Sequence, residues 1–145
     1  MNKENKIEIY LSGVGINRPR IGGWSYTIYE NDLERKDNSY EPRATQPRMI
    51  LVAAIKAIQS IPEESNATIF TTSDYLINGA TIWRYRSKRN KKKPIKHAKL
   101  WKQLRSLNKT DALTWVKVNE DDNNVRHKMT HEQAQKALKE ACFKF

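Results

Sequence analysis

Apolar and polar positions alternate from the start of this chain. Ile7, Ile9 and Leu11 interleave with Glu8, Tyr10 and Ser12, the two-residue period of a strand. Gly13 and Gly15 are expected to break it just after Ser12. INRPRIGG then reads as a loop, and WSYTIYEN, 24–31, alternates as a second strand. The charged stretch DLERKDNS reads as a hairpin turn. YEPRA reads as a short edge strand, since proline is tolerated only at an edge. From Arg48 to Ile61 the period changes. Apolar residues at 51, 54, 55 and 58 are spaced for a helix, which Pro62 stops.

The second half repeats the alternation of strand and helix. ATIFTT, 67–72, is a buried-type strand, and SDYLINGATIWRYR turns helical. Pro94 opens a helix through Leu107, with Leu100, Trp101 and Leu104 on one face. ALTWVKV, 112–118, is a strand, EDDNN a loop and THEQAQKALKEACF a closing helix with Ala134, Ala137, Leu138 and Ala141 inward. The order β-β-β-α-β-α-α-β-α predicts an α/β fold. Its mixed five-stranded sheet has three antiparallel strands, then alternating strands and helices. At 145 residues one domain is expected over 1–145.

Composition narrows the function. No window approaches a membrane span and the N-terminus lacks the apolar core of a signal peptide, so a cytoplasmic or other intracellular location and no membrane partner are expected. The single cysteine, Cys142, excludes an internal disulfide and a Cys-rich zinc site, and its apolar neighbours suggest a core thiol. The formal charge is +11, and residues 84–105 hold eleven Lys or Arg and no Asp or Glu. So concentrated a field suits a polyanion, most often nucleic acid. The competing reading is a solvated helix face or a basic address signal.

Five segments in this order resemble type 1 ribonuclease H. SGVGINRPRIGGW resembles the family's D-G…N-x-G…G-G-[YFW] strand and loop. RATQPRMILVAAIKAI resembles T-x-N-x-M-E-L-x-A-x-x-x-A-L. TTSDYLINGATIW resembles T-D-S-x-Y-x-x-x-G-x-x-x-W, and PIKHAKLWKQL resembles P-V-K-N-x-D-L-W-x-x-L. WVKVN is similar to W-V-K-G-H. The resemblance covers nearly the whole chain and implies a ribonuclease H-like fold. It also implies cleavage of the RNA strand of RNA–DNA hybrids by two magnesium ions held on four carboxylates. Hard cations require such oxygen ligands.

Position by position, each acid of that set is replaced. The first strand's aspartate is Ser12, the central helix's glutamate is Ile50 and the T-D-S aspartate is Thr72. The last aspartate falls on His131, or on Lys128 in a tighter alignment. The family's mobile histidine falls on Asn119. Asp74 reads as a helix cap or dipole partner. Glu120, Asp121 and Asp122 read as a solvated loop, and Glu132 points about 100° away from His131. No metal ligand and no cofactor are therefore expected, and the chain reads as a non-enzyme, a pseudoenzyme of the family. Ser12 as a nucleophile with His127 or His131 as base lacks the elbow that such chemistry uses.

The same resemblance turns the basic segment into a protrusion, at about 84–99, that grips nucleic acid. Its expected contacts are Arg84, Tyr85, Arg86, Lys88, Arg89, Lys91, Lys92, Lys93, Lys96, His97, Lys99 and Lys102. Trp83 and Trp101 are expected to pack, and Tyr85 to touch sugar or base. Elsewhere Arg18, Arg20, Gln46 and Arg48 are expected contacts, with Pro47 weakening recognition of 2′-hydroxyls. The expected partner is an RNA–DNA hybrid, an RNA or DNA duplex, or structured RNA. Two alternatives remain: a scaffold subunit of a larger protein or ribonucleoprotein assembly, anchored by Tyr40, Phe143 and Phe145, and a ribonuclease H with a rebuilt metal site.

Overall fold

The computed structural model describes residues 6–31, 33–63, 65–81, 96–108, 112–119 and 122–143. They form one five-stranded sheet. Its strands are β1 (Ile7–Asn17), β2 (Arg20–Glu30), β3 (Leu33–Pro42), β4 (Ala67–Thr71) and β5 (Leu113–Lys117). Four helices accompany them among the described residues: α1 (Gln46–Gln59), α2 (Asp74–Thr81), α3 (Ala98–Leu107) and α4 (Val125–Cys142). The spatial order is β3-β2-β1-β4-β5, with β1 antiparallel to β2, β2 to β3, and β4 parallel to both β1 and β5. The order of elements and the mixed sheet are those expected from the periodicity.

Several boundaries differ from that expectation: β2 begins at Arg20, inside the segment expected as a loop, and α3 begins at Ala98 rather than at Pro94; three further differences have a physical reason on view. First, Gly13 and Gly15 do not break β1, which continues to Asn17 and pairs with β2 along its whole length. These glycines serve the approach of a helix instead. A Cβ on Gly13 would lie 2.5 Å from the backbone nitrogen of Ile50, and one on Gly15 would lie 2.9 Å from that of Gln46. Second, the charged stretch expected as a turn is most of β3. Its side chains are exposed at the sheet edge, where charge is tolerated and discourages pairing with another strand. The actual turn between β2 and β3 includes Asn31, whose φ of 55° is one that asparagine accepts more readily than most residues. Third, α4 begins at Val125, five residues earlier than its apolar pattern suggested. Asn124 caps it by accepting a hydrogen bond from the His127 backbone N–H at 3.0 Å.

The sheet has two different faces. Residues opposite one another in β1 and β2 share a face, so Ile9, Leu11 and Gly13 lie with Ile28, Tyr26 and Trp24. That face meets α1, whose Met49, Leu51, Ala53, Ala54 and Ala57 are fully buried. Behind it, Trp101 of α3 packs on α2. Its ring would meet a Cβ on Gly79 at 2.0 Å, and its indole N–H donates to the Tyr75 hydroxyl at 2.9 Å. Trp101 is thus packed, as expected. The opposite face carries Glu8, Tyr10 and Ser12 of β1 beside Tyr29, Thr27 and Ser25 of β2. α4 covers it, presenting Thr130, Ala134, Ala137 and Ala141.

Candidate functional site

Ser12 sits in the middle of the polar face, 4% exposed and directly opposite Ser25. Its Oγ lies 2.8 Å from Nδ1 of His131, which α4 brings across from 119 residues away. The neighbouring pairs are of the same kind. Ser25 donates its hydroxyl hydrogen to the Thr130 carbonyl, and the Thr27 and Thr130 hydroxyls meet at 2.8 Å. Thr130 also donates to the Arg126 carbonyl at 2.9 Å. Neutral hydroxyls and an imidazole therefore close the space between β1 and α4 by direct hydrogen bonds.

The other replaced positions adjoin this pair. The Ile50 backbone rests against Gly13, the residue after Ser12, and Ile50 is 2% exposed. Thr72 follows directly on β4, whose last pairing with β1 is Phe70 with Tyr10. The Thr72 carbonyl accepts from Lys117 Nζ at 2.7 Å, and the same ammonium pairs with Asp74 at 3.0 Å. Asp74 is thus an exposed ion-pair partner in the first turn of α2. The cap there is Ser73, whose Oγ accepts from the Leu76 N–H at 3.0 Å. Of the two candidates for the last acid, His131 reaches Ser12, whereas Lys128 is exposed and donates to the Asn123 side chain. Asn119 is exposed beyond β5, its N–H bonded to Asp122.

This donor set does not fit two magnesium ions. Four charges of metal need anionic oxygens, and the positions offer a serine, an isoleucine, a threonine and a histidine beside a lysine ammonium. Among the described residues no three His, Cys, Asp or Glu side chains gather closely enough to hold a metal.

Expected nucleic-acid contacts fall into two groups. Arg84, Tyr85, Arg86, Lys88, Arg89, Lys91, Lys92 and Lys93 lie outside the described residues, as do Trp83, Pro94, Glu120, Asp121 and Phe145. The rest lie at the β1–β2 hairpin, at the start of α1 and on or just before α3, which packs on α1 and α2. Arg18 and Arg20 are exposed at the β1–β2 hairpin, whose Gly15 abuts the backbone of Gln46 at the start of α1. Arg48 follows two residues on, held by Glu41 at 3.2 Å. His97, just before α3, is close enough to Arg48 and Lys96 to feel both charges. Burial, and then those cations, hold its imidazole below the ordinary value. Lys96, Lys99 and Lys102 are exposed.

Sequence reasoning missed Arg126. Its guanidinium stacks 3.9 Å over the Tyr29 ring and pairs with Glu8, 118 residues away. Nothing local marks it. Burial and then the Glu8 carboxylate push the adjacent Tyr10 hydroxyl up. Sequence reasoning named His127 only as a candidate base for Ser12 and set that role aside. Its ring is parallel to that of His131, with centroids 6.3 Å apart, and burial and then His131 hold it below the ordinary histidine value. The thiol of Cys142 is half-buried rather than in the core. No helix among the described residues is long and apolar enough to cross a membrane.

Comparison with known proteins gives one consistent result. The family model described as RNase H matches residues 4–141. A curated ribonuclease H from Francisella tularensis subsp. novicida is 34% identical over 143 residues, covering 95% of this chain and 94% of that protein. Among solved structures, LC9-RNase H1, a type 1 RNase H with the type 2 active-site motif, superposes with a TM-score of 0.80. It is 18% identical and covers 97% of this chain and 75% of its own. A foamy viral protease–reverse transcriptase solved with dsDNA gives a TM-score of 0.76 at 21% identity, covering 93% of this chain and 95% of that one. The expectation of a non-enzyme is corrected by these findings. The full-length relative and the family model both carry the name of an enzyme, and missing carboxylates bear on which ions bind, not on whether the chain is inactive.

Proposed function

This chain belongs to the ribonuclease H family, and from that premise we propose that it binds an RNA–DNA hybrid along the basic rim from Arg18 and Arg20 to Lys102. The observation that carries the reading is the placement of charge. Residues 84–105 hold eleven cations and no acid, and the described end of that segment lies beside Arg48 at the rim where α1 starts. The foamy viral fold relative has also been solved with an RNA/DNA hybrid, which supports this partner. Contacts between cations and phosphates release counterions, so affinity falls with a slope of about −0.9 per contact in log salt. Residues 1–145 act as one domain, with the protrusion at about 84–99. Because the donor set does not fit paired magnesium, hybrid binding does not depend on that ion.

A second reading, hydrolysis of the RNA strand by a rebuilt site, is favoured by the kinship to a curated ribonuclease H. One experiment addresses both. Anisotropy of a labelled hybrid is followed against salt, in EDTA and in magnesium, with a gel of the same samples reading cleavage. Steep salt dependence, indifference to EDTA and a loss of about tenfold or more on charge reversal at Lys91, Lys92 and Lys93 are expected. Affinity unchanged by both salt and reversal would overturn the binding surface. Cleavage product appearing with magnesium or manganese establishes hydrolysis.

A further inference from the structure

His97 stands where P-V-K-N of the family motif has asparagine. An amide takes no proton in the physiological range, and an imidazole does. The exchange leaves the backbone undisturbed. His97 has φ 62° and ψ 37°, the left-handed region in which asparagine and histidine are both enriched. Its carbonyl accepts from the N–H of the buried Trp101 at 3.0 Å, which ties it to the first turn of α3. Nε2 of the ring is covered and has no hydrogen-bond partner, whereas the residue as a whole is half-buried and keeps its Nδ1 edge open. The charges that reach it are Arg48 of α1 and its neighbour Lys96. α2, also packed on α3, contributes none, and among the described residues no carboxylate offsets the two cations there. We infer that His97 is a proton-linked contact for the phosphates of the hybrid, neutral in the free chain and charged when a phosphate lies against it, Arg48 and Lys96. This inference rests on the reading of these residues as a nucleic-acid surface and adds the control of that surface by pH.

Nothing inside the fold locks the charge of this ring. Nε2 is unpartnered in either tautomer, so no internal bond favours one form, and the surrounding charges decide. In the free chain, burial and the two cations hold the imidazole below the ordinary value of 6.5. A phosphodiester brings a negative charge to the same place. It offsets the repulsion from Arg48 and Lys96 and accepts the Nδ1–H of the imidazolium, a charge-assisted bond. The proton is therefore held more tightly in the complex than in the free chain. By linkage the hybrid is held more tightly by the protonated chain than by the neutral one. Affinity rises as pH falls through the range in which the complex is protonated, and it levels off once the free chain is protonated too. Asparagine at this position would give no such rise.

The test is the anisotropy of a labelled RNA–DNA hybrid titrated with the full chain at constant ionic strength, at about pH 7.5, about 6.5 and about 5.5. Affinity should tighten by about three- to tenfold from the highest pH to the lowest. His97→Gln and His97→Asn keep a polar side chain but take no proton, and each should lose most of that tightening. Calorimetry at about pH 6.5 in two buffers of different ionisation enthalpy counts the protons taken up on binding. Net uptake is expected from the unsubstituted chain, and this measurement needs no variant to fold. Tightening that persists in both variants, or binding without proton uptake, would overturn the proton link. Hybrid bound equally at every pH overturns the link and leaves the surface standing; hybrid bound at no pH overturns the surface and the link together.

Discussion

The two faces of β1 are held by different chemistry. Toward α1, Ile9, Leu11 and Ile28 meet Met49, Leu51 and Ala54 in a hydrocarbon interior from which water is almost wholly removed. Toward α4, Ser12, Ser25 and Thr27 meet His131 and Thr130 through hydrogen bonds, and the helix contributes alanines rather than large side chains. Burial of apolar surface stabilises at roughly 25 cal/mol per Å², and a net intramolecular hydrogen bond contributes only about 1 kcal/mol. The α1 face therefore supplies most of the cohesion. The α4 face supplies direction: its bonds specify where one histidine ring and one threonine must sit. A single strand alternating by twos can serve both, because its odd and even residues answer to different neighbours.

The largest effect that sharpens this contrast is in the interior. Leu51, fully buried on α1, should lose about 3–5 kcal/mol of stability as Leu51→Ala, read from the urea midpoint. A loss under about 1 kcal/mol would break the comparison, since the hydrocarbon face would then be no more cohesive than the polar one.

On the α4 face, Thr27→Val should cost only about 1 kcal/mol, because Thr130 keeps its bond to the Arg126 carbonyl. The double variant Thr27→Val/Thr130→Val should cost less than the two single losses added together, as for any pair that shares one bond. Strict additivity in that cycle would mean that the two hydroxyls do not interact.

The smallest effect asks whether the margin of the α1 side is indifferent to protons. His97 is held below the ordinary value of 6.5 by burial and by the Arg48 and Lys96 charges. Its folded-state affinity for a proton is thus lower than that of the unfolded chain. As pH falls through 6.5 the unfolded chain takes up the proton first, so the stability present above that value declines as the pH drops towards the folded pKa. Urea midpoints at about pH 7.5 and about pH 5.5 should show this decline. His97→Gln should reduce it, leaving the part that belongs to His127, whose imidazole is also held below the ordinary value; an identical decline in the variant would assign the whole effect to other groups.

What was legible in the sequence was local. The α1 stripe at 51, 54, 55 and 58, the alternation of β1 and the order of all nine expected elements follow from periods of 3.6 and 2, which a window of a dozen residues contains. The family resemblance was legible too, because it is carried by short motifs at nearly fixed distances, and with it came the positions at which the acids are replaced.

Tertiary structure decided the rest, and the reason is separation along the chain. A glycine signals the absence of a side chain but not its purpose. Only the approach of Ile50 and Gln46 shows that Gly13 and Gly15 make room for a helix. The charged run of β3 resembles a turn until β2 lies beside it and makes it an edge strand. No local pattern joins Ser12 to His131 or Glu8 to Arg126, across 119 and 118 residues. Periodicity specifies which way a side chain faces; the packing of β1 against α4 specifies what it meets there.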